Sequence, residues 1–326
     1  MFDKALHGTW RALSSLCRGA SEVDRFGVFV DAGYLLTSGP ELVLGTPPPR
    51  RDAISCDFDK LVEALERFGT EESGLQILRS YWYDAGRDGQ PDLAQCLVAE
   101  LPSVKVRLGR LTQYGQKGVD SLIVRDLMTL GRERAIRTAY LITGDEDIRE
   151  GVIAAQELGV RVVLLGVATT DPYTFNQAPS LVSEADKRVV LGKSFWAPFF
   201  AQRPTTATPL ATLFFKDLES AYPGTFARGT SPSLPASVTI DTLAKQVGSV
   251  FASAWSATAT QCEVRLLLER RYRVPRPLDA ALLKQAGSAL SRFRQQWAPD
   301  MVRRGFWDGL EAAFPQLAEE TLPDST

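Results

Sequence analysis

Short apolar segments alternate with amphipathic segments from Arg25 to about Leu191. The apolar segments are rich in β-branched and aromatic residues, and they predict strands at 26–30, 75–83, 104–107, 139–143 and 161–166. The segments between them have helical spacing and predict helices at 58–68, 92–100, 119–130 and 148–158. Strands and helices that alternate with short connections favour a parallel sheet covered by helices on both faces. We therefore predict an α/β fold with a central parallel sheet.

The composition changes beyond this region. Prolines recur among serines and threonines at 197–236, which predicts a linker. Inside the α/β region, a proline-containing segment at 39–51 predicts a loop insertion. Helical spacing at 240–254, 262–272 and 278–293 predicts a smaller, mainly α-helical C-terminal domain. The predicted order is an N-terminal extension at 1–24, the α/β domain at 25–196, the linker at 197–236 and the helical domain at 237–326.

The bulk properties exclude several classes of protein. The chain has 326 residues, and its 37 Lys and Arg against 39 Asp and Glu give a net charge of −2, which by itself does not indicate a nucleic-acid partner. The four cysteines are scattered without the spacing of a zinc site or disulfide framework, which favours a reduced protein in the cytoplasm. No apolar run reaches the roughly 20 residues that span a bilayer, so we expect no membrane contact.

Four aspartates lie where predicted strands end or helices begin. Asp31 follows the first strand, Asp120 opens a helical segment, and Asp145 and Asp147 follow the strand at 139–143. In an open parallel sheet, functional groups gather beyond the carboxyl ends of the strands, so we expect these four carboxylates to lie close together. Asp120 and Asp147, each taken alone, would also fit a role as helix caps.

Grouped carboxylates predict a site for a divalent cation. Mg²⁺ and Mn²⁺ prefer oxygen ligands, and such ions activate water and neutralise charge during phosphoryl transfer. The only histidine, His7, precedes the first strand, which argues against histidine-based hydrolysis. Four further residues at the same predicted sheet edge are candidates for a supporting role, either around the metal or on phosphate: Thr143, Lys117, Arg149 and Asp84.

Four segments of the chain, read in order, resemble the NYN domain, a PIN-like nuclease family. They are 28–36, 116–127 with Lys-Gly-Val-Asp, 141–148 with Thr-Gly-Asp-Glu-Asp, and 157–166. The resemblance implies a Rossmann-like PIN fold and a ribonuclease site that binds Mg²⁺ or Mn²⁺ through Asp31, Asp120, Asp145 and Asp147. The chain departs from the family at Tyr34, where many members have asparagine.

The C-terminal domain has a local basic bias. From Cys262 to Arg304 there are ten Lys or Arg against four Asp or Glu. Arginines near aromatic residues can bind nucleic acid, although charge runs also form solvated helix faces. The candidate nucleic-acid contacts are Arg270, Arg271, Arg273, Arg276, Arg303 and Arg304. Segments 274–283 and 302–307 faintly resemble winged-helix RNA-binding modules of the LOTUS or OST-HTH type.

The sequence thus predicts a cytoplasmic, metal-dependent nuclease that acts on RNA, with DNA as an open alternative substrate and a homodimer as an open alternative to a monomer. A second hypothesis is a PIN-like RNA-binding protein that has lost turnover. A third is a small-molecule phosphohydrolase, because Asp31 follows the first strand as in aspartyl-phosphate enzymes. The third is disfavoured because Gly33 stands where those enzymes have a second aspartate.

Overall fold

The structure is a computed structural model that describes residues 25–45, 51–87, 90–112, 115–171, 173–203, 210–221, 238–269, 274–293 and 295–320. The predicted N-terminal extension at 1–24 lies outside these residues. The chain divides into two compact units. The described residues of the first unit fall within 1–43, 59–85 and 102–198, and those of the second within 44–58, 86–101 and 199–326. The sequence-based boundaries differ, because they assign 44–58 and 86–101 to the α/β domain.

The strands of the described residues are β1 (Arg25–Asp31), β2 (Ile54–Cys56), β3 (Gln76–Arg87), β4 (Val104–Thr112), β5 (Gly115–Lys117), β6 (Thr138–Ile142), β7 (Arg161–Val167), β8 (Lys187–Leu191) and β9 (Phe200–Gln202). The helices of the first unit are α1 (Ala32–Leu44), α2 (Phe58–Ser73), α4 (Val119–Arg132), α5 (Arg149–Glu157), α6 (Pro179–Glu184) and α7 (Lys193–Trp196). In the second unit they are α3 (Leu93–Glu100), α8 (Leu210–Ala221), α9 (Ile240–Ser256), α10 (Gln261–Glu269), α11 (Arg276–Leu290), α12 (Pro299–Ala313) and α13 (Pro315–Glu320).

The first unit is built on a seven-stranded sheet with the order β5-β4-β3-β1-β6-β7-β8. β1 pairs in parallel with β3 and β6, and the parallel pairing continues through β7 to β8. β5 is antiparallel to β4. The predicted α/β fold with a central parallel sheet is therefore confirmed. Because β1, β6 and β7 run in the same direction, the residues that follow them meet at one edge of the sheet.

The central strands are buried on both faces. Side chains of β1 from Phe26 to Val30 are almost fully buried, as expected for parallel strands covered by helices on both sides. On one face, the Phe29 ring lies 5.2 Å from the Tyr81 ring, and α4 contributes Ile123 and Leu127 to the same core. This packing fixes α4, and with it the position of Asp120 in the first turn of that helix.

The first helix and β3 differ from the prediction. The loop insertion predicted at 39–51 is wrong for its first six residues, because α1 continues through Pro40 to Leu44. Ala32, Leu35, Gly39 and Leu42 share one buried face, and burial of that face outweighs the hydrogen bond that proline removes. β3 also extends beyond the predicted end at residue 83, so that Asp84 lies inside the strand rather than after it.

The second unit has a helical core. Large apolar side chains of α8, α9, α10, α11 and α12 pack together, among them Phe214, Phe251, Leu268, Leu282 and Phe306. α8 falls within the segment predicted as a linker, and its buried side chains belong to this core. α9 and α12 approach closely through glycines, since a Cβ added at Gly248 would lie 2.7 Å from the backbone nitrogen of Phe306.

Candidate metal centre

Asp31 joins the end of β1 to the start of α1. Its Oδ1 accepts hydrogen bonds from the backbone nitrogens of Gly33 at 2.9 Å and Tyr34 at 3.3 Å. Its Oδ2 accepts a hydrogen bond from Thr143 Oγ1 at 2.9 Å. The side chain is therefore oriented by three donors, and Asp31 is only 8% exposed. An ionised carboxylate accepts about four hydrogen bonds or ligands, so capacity remains toward the cleft that Asp31 lines.

The other three predicted aspartates form a group. Asp120 lies in the first turn of α4, and Asp145 and Asp147 lie at the short 3-10 turn that follows β6. One carboxylate oxygen from each of Asp120, Asp145 and Asp147 lies within 4.8 Å of the other two. Asp145 and Asp147 are exposed, and Asp120 is half-buried. The structure thus brings oxygens of three of the four residues close together, and Asp31 lines a cleft with two of them, Asp120 and Asp145.

The charges in this cleft act on one another. Burial raises the pKa of the Asp120 carboxyl above its ordinary value, and the negative charges of Asp145, Asp31 and Asp147 raise it further. Burial also raises the pKa of Asp31, against the hydrogen bonds that it accepts, and the charge of Asp145 adds to the increase. A bound cation would relieve this repulsion.

The turn between Thr143 and Asp145 connects the two parts of the site. Thr143 is fully buried, donates its hydroxyl hydrogen to Asp31, and accepts a hydrogen bond from the backbone nitrogen of Asp145 at 3.3 Å. Gly144 is needed for close packing, because an added Cβ would lie 2.9 Å from the Tyr34 ring and still closer to the carbonyl oxygen of Asn176. Thr143 therefore links Asp31 to the backbone of Asp145, and its supporting role at a metal site stays a prediction.

A second group of residues, absent from the sequence prediction, holds this turn in place. The Tyr34 hydroxyl donates to Asn176 Oδ1 at 3.2 Å and accepts from the backbone nitrogen of Val167 at 3.0 Å. Burial raises the pKa of Tyr34 to about 12, so the hydroxyl stays protonated and can donate. Gln177 is buried and donates to the carbonyl oxygen of Thr143 at 2.9 Å. Tyr34, where the family often has asparagine, is thus a structural tie beside the cleft.

The remaining supporting candidates lie in different surroundings. Arg149 donates to Glu184 at 2.9 Å and to Glu150 at 3.3 Å, so its guanidinium is already engaged by carboxylates. Asp84 is 2% exposed inside β3 and is not a member of the group of three carboxylates. The side chain of Lys117 lies outside the described residues.

The C-terminal arginines are described only in part. Arg303 forms a bidentate pair with Asp279 at 2.7 and 2.8 Å and also donates to Asp300 at 2.8 Å, so its charge is compensated within the unit. The other two described candidates, Arg276 and Arg304, are exposed. Three candidates lie outside the described residues: Arg270, Arg271 and Arg273.

Comparisons with known proteins show the family to which the chain belongs. The chain belongs to the NYN domain family, whose match covers residues 25–192. An uncharacterized protein of Sinorhizobium fredii, y4oD, is 35% identical over 219 residues, which cover 65% of this chain and 94% of that protein. A crystal structure of a protein of unknown function from Vibrio parahaemolyticus has 17% sequence identity and a TM-score of 0.38, and it covers 53% of this chain and 95% of that chain.

The family is one of PIN-like nucleases, which identifies the class of protein but not the substrate. The resemblance of 274–283 and 302–307 to winged-helix modules stays a prediction, and the described residues 238–269, 274–293 and 295–320 form helices joined by turns. Among the helices described, none combines the length and apolar character required to cross a bilayer.

The donors in the cleft fit a divalent metal ion. All three members of the group offer carboxylate oxygen, the ligand type that Mg²⁺ and Mn²⁺ prefer over nitrogen or sulfur. The cleft that Asp31, Asp120 and Asp145 line has a volume of about 400 Å³ and opens to solvent. Burial is the main cause of the raised pKa of Asp120, and the neighbouring negative charges that add to it are charges that a cation would offset.

Proposed function

We propose that this protein is a metal-dependent nuclease that hydrolyses phosphodiester bonds in RNA, with DNA as the less favoured substrate. The observation that carries the proposal is the group formed by Asp120, Asp145 and Asp147 at the carboxyl edge of the sheet, within a domain of the NYN family. The reaction needs no histidine, in keeping with the single His7 of the chain. A cytoplasmic location, a homodimer and nucleic-acid binding by the C-terminal unit belong to the same proposal.

The residues of the candidate metal centre would have different roles. Asp120, Asp145 and Asp147 would hold Mg²⁺ or Mn²⁺. When bound, such an ion lowers the pKa of an attacking water and neutralises charge on the phosphate. Asp31, fixed by its three hydrogen bonds, would orient ligands from the β1 side of the cleft. Thr143 would hold Asp31 and the backbone of Asp145 in fixed positions relative to each other.

The test compares cleavage of labelled single-stranded and structured RNA and DNA in Mn²⁺, Mg²⁺ and EDTA. We expect cleavage to require the metal. The cleavage rate of Asp145→Asn and of Asp31→Asn should be about 100-fold or more below that of the wild type, because each change removes a charge that binds or orients the metal. The control is Glu133→Gln, since Glu133 is an exposed acid just beyond the other end of α4, about 20 Å from Asp120 along the helix axis.

Each outcome has a clear consequence. Full activity in both Asp145→Asn and Asp31→Asn would refute the proposed site. RNA binding by the wild-type protein without cleavage of any substrate in either metal would instead favour the second function, a PIN-like binding protein. Mn²⁺ titration of the same variants by calorimetry separates loss of metal binding from loss of turnover.

A further inference from the structure

A buried carboxylate on α4 lies outside the candidate metal centre. Asp126 is 6% exposed and follows Asp120 by six residues, which places it about 9 Å further along the helix axis and about 240° around it. Its described hydrogen-bond partners, Tyr83, Arg107 and Arg125, are not among the residues that line the acidic cleft. Asp126 therefore belongs to a second cluster of charged side chains.

Two arginines and a tyrosine hold the Asp126 carboxylate. Its Oδ1 accepts hydrogen bonds from Arg125 Nε at 3.1 Å and Arg125 Nη2 at 2.8 Å. Its Oδ2 accepts hydrogen bonds from Arg107 Nε at 3.0 Å and from the Tyr83 hydroxyl at 3.1 Å. Groups from β3, β4 and α4 thus bind both oxygens, and these charge-assisted hydrogen bonds fix the two guanidiniums relative to each other.

The positive charge around this carboxylate is larger than one aspartate offsets. Arg79 and Arg107 both lie beside the Tyr81 ring, with their Cζ atoms 5.9 and 6.0 Å from its centroid. Lys105 precedes Arg107 by two residues on β4, so the two residues share one face of the strand. Three arginines, and a lysine on the same strand face, therefore accompany the negative charge of Asp126.

The arginines keep hydrogen-bond donors for a ligand. Arg107 binds Asp126 through Nε alone, and Arg125 binds it through Nε and one terminal nitrogen. Among the described contacts, the other terminal nitrogens of both guanidiniums have no acceptor. The side chains of Arg107 and Arg125 are 32% and 54% exposed, and Arg79 is exposed as well. The cluster thus presents oriented guanidinium nitrogens to solvent.

A phosphate group matches these donors in shape and charge. A guanidinium can donate two parallel hydrogen bonds to a phosphate, and the several oxygens of one phosphate can accept from more than one arginine. The surrounding sequence adds no negative charge, because the segment 101–119, which contains β4, has two lysines and two arginines and neither Asp nor Glu. An approaching anion is therefore attracted by the segment as a whole.

We propose that Arg79, Arg107 and Arg125 form a binding site for a phosphate group, with Lys105 adding positive charge on the same strand face. Asp126 holds two of these arginines from beneath. The phosphate group has two possible sources, the backbone of a nucleic-acid strand and a small phosphate ester. The site is separate from the acidic cleft, so the inference does not depend on cleavage there.

Two binding assays test the site and its ligand. Fluorescence anisotropy in EDTA measures the affinity for labelled 12-nucleotide single strands of RNA and DNA. Calorimetry in a phosphate-free buffer measures the affinity for inorganic phosphate and for adenosine monophosphate. Arg79→Gln and Arg125→Gln should each weaken binding of the phosphate-bearing ligand roughly 10-fold, because each removes charge-assisted hydrogen bonds. If the ligand is a strand, its affinity should also depend less steeply on salt in both variants, since fewer counterions are released.

Arg79→Gln also separates ligand binding from folding. Among the described contacts, Arg79 interacts with the Tyr81 ring and not with Asp126, so the unfolding temperature of this variant should match that of the wild type. Arg125→Gln removes one partner of a buried carboxylate and should be less stable. A loss of affinity in a fully stable Arg79→Gln protein therefore reports on the site itself.

The matched control is Arg67→Gln. Arg67 is an exposed arginine of α2, and the adjacent Phe68 packs on Tyr140 with ring centroids 5.9 Å apart. Tyr140 alternates along β6 with Ala139 and Leu141, which pack in the same core as the buried side chains of α4. α2 therefore covers the other face of the sheet, and loss of the Arg67 charge should leave all affinities unchanged.

The outcomes assign the source of the phosphate or reject the site. Weaker strand binding in Arg79→Gln and Arg125→Gln, with wild-type binding in Arg67→Gln, supports the site and identifies the nucleic-acid backbone as its ligand. Weaker binding of phosphate or adenosine monophosphate with unchanged strand binding supports the site and identifies a small phosphate ester. Wild-type affinity for every ligand in both variants, an equal loss in Arg67→Gln, or no binding of any ligand by the wild type would overturn it. Because metal is absent from the strand assay, failure of the nuclease proposal would leave these results interpretable.

Discussion

Gly144 offers a sharp test of how the candidate metal centre is held. A Cβ at this position would lie 2.9 Å from carbon atoms of the Tyr34 ring and closer still to the carbonyl oxygen of Asn176. Carbon atoms normally approach to about 3.5 Å, so Gly144→Ala requires a displacement of at least about 0.6 Å between the turn and its neighbours. The Tyr34 ring is hydrogen-bonded at its hydroxyl, and the Asn176 contact is backbone, so neither can move freely.

The displacement would act on both stability and activity. Forcing a methyl group into a packed contact costs about 1–3 kcal/mol of unfolding free energy. The turn carries Thr143 and Asp145, and a misplacement of about 1 Å in a catalytic constellation reduces turnover by about 100-fold. We therefore expect Gly144→Ala to remain folded, with a lower unfolding temperature, weaker Mn²⁺ binding and cleavage reduced by roughly 10- to 100-fold.

The assay combines thermal unfolding, Mn²⁺ calorimetry and cleavage rates. Gly192→Ala is the matched control, because no atom lies within 4 Å of an added Cβ there and the φ of −85° suits alanine. This control should match the wild type in all three measurements or be slightly more stable. A Gly144→Ala protein with wild-type metal affinity and turnover would refute the idea that close packing of the turn positions the carboxylates.

Two further predictions concern stability. Burial alone would raise the pKa of Glu72, but hydrogen bonds from Lys187, Tyr140 and Arg161 lower it from 4.5 to about 2. The resulting stabilisation is present above pH 4.5 and is lost as the pH falls toward 2. The unfolding temperature of the wild type should therefore fall steeply between these pH values. The unfolding temperature of Glu72→Gln should be lower at neutral pH and should fall less over the same range. In the second unit, Gly305→Ala would place a Cβ 2.8 Å from the Cα of Lys245. This change should lower the unfolding free energy, measured in urea, by about 1–3 kcal/mol. The control Gly287→Ala, whose Cβ would make an ordinary contact with the Trp297 ring at 3.8 Å, should leave stability unchanged or raise it.

The central sheet could be predicted because its strands are buried on both faces. β1, β6 and β7 appear in the sequence as continuous apolar runs, and such runs between helical segments are typical of parallel strands. The sequence does not predict the edge strand β8, because it begins with Lys187 and Arg188 and is largely exposed. α12 was missed although Val302, Phe306 and Leu310 follow helical spacing, because Gly305 and Gly309 disfavour a helix in the absence of a packing partner.

The long-range hydrogen bonds around the cleft could not be predicted from the sequence. Tyr34 and Asn176 are 142 residues apart, and Tyr34 and Val167 are 133 apart. No local pattern marks such pairs, since each residue has an ordinary composition around it and the contact exists only after the sheet has formed. The aspartates were different, because each follows a strand or opens a helix, and parallel topology then brings those ends together.

The structure also distinguishes the four aspartates by their burial and hydrogen bonding. Asp31 is buried and engaged by three donors, whereas Asp145 and Asp147 are exposed and carry few constraints beyond the hydrogen bond from the Asp147 nitrogen to Asp145 at 3.0 Å. The buried Asp31 carboxylate is held in one orientation by its hydrogen bonds. The exposed carboxylates of Asp145 and Asp147 can change their side-chain orientation when a cation binds. Because Asp120 is affected by the charges of all three, loss of any one of them should lower the pKa of Asp120 toward its ordinary value. The four carboxylates are therefore electrostatically coupled: Asp31 is held by its hydrogen bonds, and Asp120, Asp145 and Asp147 are the three that we propose as metal ligands.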